Sequence, residues 1–295
     1  MSGRRTGPGP RLAIVAALLA LIAVQAQAAS PEAWRQARAA RFAAPRTAET
    51  VWDVVDGPEM VVVPPGRFTM GPRPADTELR GNEGPRHEAV IPSPLMVAKY
   101  PVTVGEFANF VAQTGYDAGD SCWTYEGIEG RIRNGRNWRN PGFAQTEADP
   151  VLCVSWTDTQ AYAAWLTRIA GHRYRLLTEN EYEYANRAGT QTAFWWGEAL
   201  GVNHANCDGC GSAWDNRSTS PVGSFAPNGF GLYDTAGDTW VWMADCYEAA
   251  PACAEHSLRG GAWHGGGMGL RSTARFHHTT ETHSATLGFR LARDP

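Results

Sequence analysis

The chain has 295 residues, a formal net charge of −4 and 19% charged residues. An acidic balance excludes nucleic acid as a natural partner, because no basic surplus exists to meet phosphates. Lys99 is the single lysine, which leaves Schiff-base chemistry almost nothing to work with.

Arg4, Arg5 and Arg11 precede or open an apolar run from Leu12 to Val24, and Ala26-Gln27-Ala28 follows with the small residues that signal peptidase accepts. Residues 1–28 therefore predict a cleaved secretory signal. Their apolar core falls short of the roughly 20 residues that span a bilayer, and no later segment predicts a membrane span. The mature protein is expected in the periplasm or outside the cell, and loss of the three arginines makes it more acidic still. Residues 29–50 form an Ala- and Arg-rich arm, and residues 51–295 a single domain. Roughly 265 residues remain after cleavage, enough for one large core. The 12 tryptophans and 32 glycines predict a loop-rich fold filled by aromatic rings.

Short strand-like pieces come first, at Met60–Val63 and Val90–Ile91, set apart by Gly and Pro. Thr103 then caps a helix in which Phe107, Phe110 and Val111 recur at helical spacing, ending at Gly115. From Gly115 to Pro150 little periodicity remains, and an ordered loop is expected there if a disulfide and Trp123, Trp138 and Phe143 pin it. Ser155 and Asp158 open a second helix that buries Tyr162, Trp165, Leu166 and Ile169 and stops at Gly171. Thr178-Glu179-Asn180-Glu181 is a capping box for a third, running to Gly189. Strand-like pieces return at Leu258–Trp263 and Leu287–Leu291. The fold class is α+β.

Six cysteines, all beyond the signal, make an even set for an oxidising space. Spacing alone leaves their pairing open. Cys246 and Cys253 could close a small loop, Cys122 and Cys153 could staple the Gly-rich stretch, and Cys207-Asp208-Gly209-Cys210 could be a tight bridge. That CxxC has no βαβ context and no second CxxC, which favours a structural disulfide over redox chemistry or zinc.

Several phrases recur in a fixed order: Pro65-Gly66-Arg67-Phe68-Thr69-Met70-Gly71, Tyr174-Arg175-Leu176-Leu177-Thr178-Glu179, Pro227-Asn228-Gly229-Phe230-Gly231-Leu232-Tyr233-Asp234, Arg259-Gly260-Gly261-Ala262-Trp263 and Gly288-Phe289-Arg290. Together they resemble the formylglycine-generating enzyme, or sulfatase-modifying factor, family, from about Met60 to the C-terminus. The resemblance implies a C-type-lectin-like fold with little regular secondary structure, often holding calcium. It also implies oxygen-dependent oxidation: formylglycine formation on sulfatases, sulfoxide synthesis in ergothioneine-type pathways, or periplasmic maturation of pyoverdine. Other members are non-catalytic binding modules, and fold does not choose among these.

Formylglycine generation in the family uses two cysteine thiolates after Arg-Gly-Gly to bind copper(I). Here the stretch from Ala262 to Arg271 contains none. His264, His277, His278 and His283 lie in the same region, and imidazole suits iron, copper or zinc. The resemblance places Trp240 in the cleft, and with His264 and His278 it forms the candidate catalytic set, His277 being a further candidate metal ligand. Loop exposure or backbone bonding is the plainer alternative for these histidines, and His277 and His278 would face opposite sides of a strand.

For calcium, the resemblance points to Asp234, Ala236, Gly237 and Thr239, although Val241 stands where the family has a glutamate. A second calcium position corresponds to Asn206 and Cys207 with Asp215 as the nearest downstream acid, where an Asx-turn loop is the competing reading. The resulting expectation is an exported oxidoreductase acting on a secreted small molecule or peptide, against a ligand- or protein-binding module as the alternative.

Overall fold

A computed structural model describes residues 36, 38–40 and 50–295, apart from 56, 75, 77–81, 127–128 and 249–252. The expected signal and most of the arm lie outside the described residues. The part of the arm that is described is helical, and Arg38 ties it to the domain. Its guanidinium meets Glu106 at 2.7 Å and donates to the Val55 carbonyl at 2.7 Å, with the Trp52 ring beneath it.

A five-stranded sheet runs in the order β1 (Thr50–Val51), β2 (Met60–Val63), β5 (Leu95–Ala98), β13 (Leu291–Arg293) and β8 (Tyr174–Leu176). The last strand of the chain is thus fourth across, hydrogen-bonded on both edges. A second sheet orders β11 (Arg275–Thr279), β10 (Glu255–Arg259), β9 (Trp240–Cys246) and β12 (Leu287–Gly288). Two hairpins complete the strands: β3 (Gly66–Met70) with β4 (His87–Ile91), and β6 (Ser121–Glu126) with β7 (Glu129–Asn134).

All three expected helices form, each with a reciprocal capping box. They are α1 (Val104–Thr114), α2 (Trp156–Ala170) and α3 (Glu179–Arg187), capped by Thr103, Ser155 and Thr178. Left-handed Gly115 and Gly171 end the first two, where a glycine carries no Cβ penalty. The third stops one residue earlier than expected, at Ala188, whose φ is 46°. Phe107, Phe110, Tyr162, Trp165 and Leu166 bury against Trp242, Phe289 and Leu291, but Ile169 is exposed.

Three further expectations need correction. The segment after Gly115 is no mere loop, since β6 and β7 pair over six registered positions. Gly260 and Gly261, at φ 102° and 79°, end β10 at Arg259 rather than at Trp263. The run from Leu287 to Leu291 is two strands in different sheets, with Phe289 and Arg290 as the crossing. Arg290 makes that crossing possible by donating to the carbonyls of Ala98 (2.7 Å) and Asp234 (3.0 Å) from a buried position.

All six cysteines pair, as Cys122–Cys153, Cys207–Cys210 and Cys246–Cys253. Among the described residues no helix is long and apolar enough to cross a membrane.

Candidate functional site

A cavity of about 690 Å³ opens between the β6–β7 hairpin, the edge of the second sheet and the glycine-rich loop that follows Trp263. Trp240, His264 and His278, which the sequence reading grouped, all line it. Trp240 begins β9, and its ring sits 5.7 Å from that of Phe276 on β11. A Cβ at Gly269 would come within 3.1 Å of the Trp240 ring, so a larger residue there would push the loop or the indole by a few tenths of an ångström. From the hairpin, the cross-strand pair Trp123 and Ile132 presents the opposite wall, with 38% and 66% of each exposed.

His264 lies against the Tyr125 ring at 4.0 Å between centroids, and its Nδ1 is 2.6 Å from Oδ1 of Asn216. Burial lowers its pKa, with the nearby Asp208 charge acting weakly the other way. His278 extends from β11 beside Phe276 (5.2 Å). Burial, and then the neighbouring His277, push its pKa down, so it is neutral at physiological pH. Its strand neighbour His277 faces the other way, stacked on Tyr247 at 4.0 Å and paired with Glu255 at 2.9 Å. His277 therefore does not join the cleft histidines, as alternation along a strand requires.

His283 is a third cleft histidine. Its Nε2 lies 2.9 Å from Asp158 Oδ2, the same carboxylate that caps α2 and accepts the Tyr116 hydroxyl at 2.8 Å. Burial alone would lower its pKa, but the Asp158 carboxylate and the Glu281 carbonyl together raise it. The cleft thus holds two neutral imidazoles and one that favours its proton.

Sequence reasoning missed the hairpin wall, Asn216 and the Asp158–His283 pair. Alternation in Cys122-Trp123-Thr124-Tyr125 was a usable signal for the hairpin. The other two are contacts over 48 and 125 residues of chain, which no local pattern encodes.

The calcium candidates divide. Asp234 is buried, with Oδ2 accepting from the Gly223 amide at 2.7 Å and Oδ1 without a hydrogen-bond partner, and burial pushes its pKa up to about 6. Two of the oxygens expected beside it already make hydrogen bonds. The Gly237 carbonyl accepts from the Thr239 amide, and the Thr239 hydroxyl turns to the Thr286 carbonyl at 3.2 Å. Val241, in the family's glutamate position, is buried in β9. In the other loop, Asn206 Oδ1 accepts from Ser212, both Asp215 oxygens accept from the amides of Gly209 and Gly211, and the Cys207 carbonyl accepts from the Cys210 amide at 3.3 Å. One open carboxylate oxygen is far short of the six or more oxygens that calcium takes, so the side chains as they stand do not by themselves assemble an ion site, although each engaged carbonyl and hydroxyl keeps a lone pair. Among the described residues no three His, Cys, Asp or Glu side chains stand together as a metal-binding group.

A profile of the sulfatase-modifying factor enzyme 1-like domain matches residues 47–295. The chain belongs to this family. Its relatives include an "inactive C-alpha-formylglycine-generating enzyme 2" from Mus musculus, 32% identical, covering 80% of this chain and 85% of that protein. A formylglycine-generating enzyme from Bos taurus is 31% identical, covering 80% and 75%. Among solved structures, PvdO from Pseudomonas aeruginosa superposes with a TM-score of 0.74 and 32% identity, covering 85% of this chain and all of that one. Family membership bears out the α+β, formylglycine-generating-enzyme fold read from the ordered phrases.

Proposed function

We propose that this family member is exported and uses its aromatic cleft to oxidise a secreted small molecule or peptide, with dioxygen as the oxidant. In this reading the substrate loses two hydrogens, and dioxygen gains them to leave as hydrogen peroxide. Neutral His264 and His278 accept and hand on the protons, while Trp240, Phe276 and Trp123 hold the substrate and exclude water. The observation that carries the proposal is the convergence of Trp240, His264 and His278 on one cavity. Likeness to PvdO supports it, and the leader at residues 1–28 and three disulfides support export. Formylglycine formation by thiolate-bound copper(I) is not proposed, because every cysteine is held in a disulfide.

A ligand-binding module is the second reading. It is favoured by the exposed Trp123, Ile132 and Phe276 around the cleft and by likeness to a relative described as inactive. Oxygen uptake separates the two. Purified mature protein, alone and after addition of iron(II) or copper, is offered phenolic, amine and thiol reductants in an oxygen electrode, and its metal content is measured. Uptake with matching peroxide that disappears in His278→Ala supports oxidation. No uptake with any reductant and no bound transition metal would overturn it in favour of binding.

A further inference from the structure

We infer that Asn216 is a positioning residue, which fixes the ring of His264 in the tautomer that turns a bare Nε2 into the cleft. The inference rests on the reading above that the cleft receives the substrate.

An imidazole that is neutral carries its proton on one nitrogen, and the bond made by the other decides which. At His264 the partner is an amide oxygen, Asn216 Oδ1, at 2.6 Å from Nδ1. A carbonyl oxygen only accepts, so Nδ1 is the protonated nitrogen and Nε2 keeps its lone pair. His264 lines the cavity and Asn216 does not, the arrangement expected when the bonded nitrogen points away from the cavity and the free one toward it. Two aromatic rings pack tilted against the imidazole, Tyr125 at 4.0 Å and Trp263 at 5.1 Å, so a ring flip, which would put Cδ2 in the place of Nδ1 beside Asn216, has to displace them.

Asn216 has a backbone φ of 50°, the left-handed conformation, in which asparagine is several-fold enriched over other non-glycine residues. A residue in that conformation aims its amide differently from one in the helical or extended regions. The next turn helps to hold it there, because Asp215 accepts from the amides of Gly209 and Gly211 and so pins the preceding residue. Burial lowers the His264 pKa and keeps the ring neutral. The chemical consequence is a hydrogen-bond acceptor, rather than a donor, on this wall. The fitting substrate group is an N–H or O–H that gives its proton to Nε2, set between the Tyr125 side and the Trp240–Phe276 side. An oxidation that removes hydrogen from such a group needs an acceptor of this kind.

The test reads the tautomer directly and needs no substrate. Ring nitrogens of His264 are assigned by 15N NMR in the full mature protein at pH 8. The wild type is expected to show a protonated Nδ1 and the downfield resonance of a bare Nε2. Asn216→Ala removes the acceptor, and the pattern should shift toward protonated Nε2, the ordinary preference of free imidazole. Asn216→Asp keeps an acceptor and tolerates the left-handed backbone, so it should restore the wild-type pattern. It also answers for any general disturbance caused by the alanine. A protonated Nε2 in the wild type, or no difference between wild type and Asn216→Ala, would overturn the inference. Failure of oxygen uptake in a protein with the expected tautomer would overturn the oxidase reading alone and leave His264 as an oriented acceptor in a binding cleft.

Discussion

His277 and His278, neighbours on β11, lead opposite lives: His277 stacks on Tyr247 and pairs with Glu255 outside the cleft, while His278 stands within it beside Phe276. Alanine at each should separate their roles. His278→Ala is expected to abolish ligand-dependent or oxygen-dependent signals from the cleft by tenfold or more, on the order expected for loss of a proton-transfer group. His277→Ala should leave them unchanged and cost only a few tenths of a kcal/mol, as for an exposed pair. Equal losses from both would contradict the assignment of faces.

The Asp158–His283 pair predicts a pH dependence of stability. Because its pKa is raised, His283 binds its proton more tightly in the native state than in the unfolded chain. The pair's contribution is therefore fully present below about pH 6.5, the unfolded histidine value. It fades as the pH rises through the higher native pKa. Thermal or urea unfolding of His283→Gln against the wild type should show a deficit of about 1–2 kcal/mol at pH 5.5, a size suited to a charged hydrogen bond. The gap should narrow by pH 8.5, and a pH-independent gap would show that the proton does not matter.

Beneath the cleft's second sheet, Glu183 is fully buried. It accepts from the Gly71 amide and from Arg187 at 2.9 Å each, and from Arg259. Glu183→Ala removes the carboxylate that two buried guanidiniums share, leaving Arg187 with carbonyls alone, and should cost about 3–5 kcal/mol. Denaturant unfolding measures this directly. A loss below 1 kcal/mol would mean that water reaches these charges.

Chelation should change nothing. Because the turn at Asp234 offers one open oxygen and the loop at Asn206 is closed by its own hydrogen bonds, EDTA is expected to leave the melting temperature within about 1 °C. Added calcium should have no greater effect. A rise of several degrees with calcium would indicate a site stabilised by binding.

The disulfides should differ in weight. Loop-closure entropy assigns about 3–4 kcal/mol to Cys122–Cys153, 31 residues apart, and about 2 kcal/mol to Cys246–Cys253, 7 apart. Paired serine substitutions followed by denaturant titration check the order. The longer bridge also anchors β6, so its loss should blur the Trp123 wall as well, visible as a change in tryptophan emission.

The three helices were legible from sequence because Thr103, Ser155 and Thr178 each carry their own start signal within four residues. The resemblance pointed to Trp240 at a cleft and side-chain chemistry singled out His264 and His278, and all three line one cavity. What failed was non-local. Leu287 to Leu291 reads as one strand because apolar residues surround its glycine and arginine, yet Arg290 pulls the chain across to another sheet through carbonyls of Ala98 and Asp234. The calcium expectation meets the same limit: the phrase offers oxygens at Asp234 and Thr239 and lacks a carboxylate at Val241, while hydrogen bonds that Thr239 and Asn206 make to Thr286 and Ser212 involve residues the phrase does not contain.

β13 sits between β5 and β8, so three residues near the end of the chain join strands laid down early to one laid down midway. Without Leu291–Arg293 the large sheet falls into two pieces, β1-β2-β5 on one side and β8 on the other. Trimming the last five residues would therefore act less like removing a tail than like drawing the bolt that holds two halves of a door.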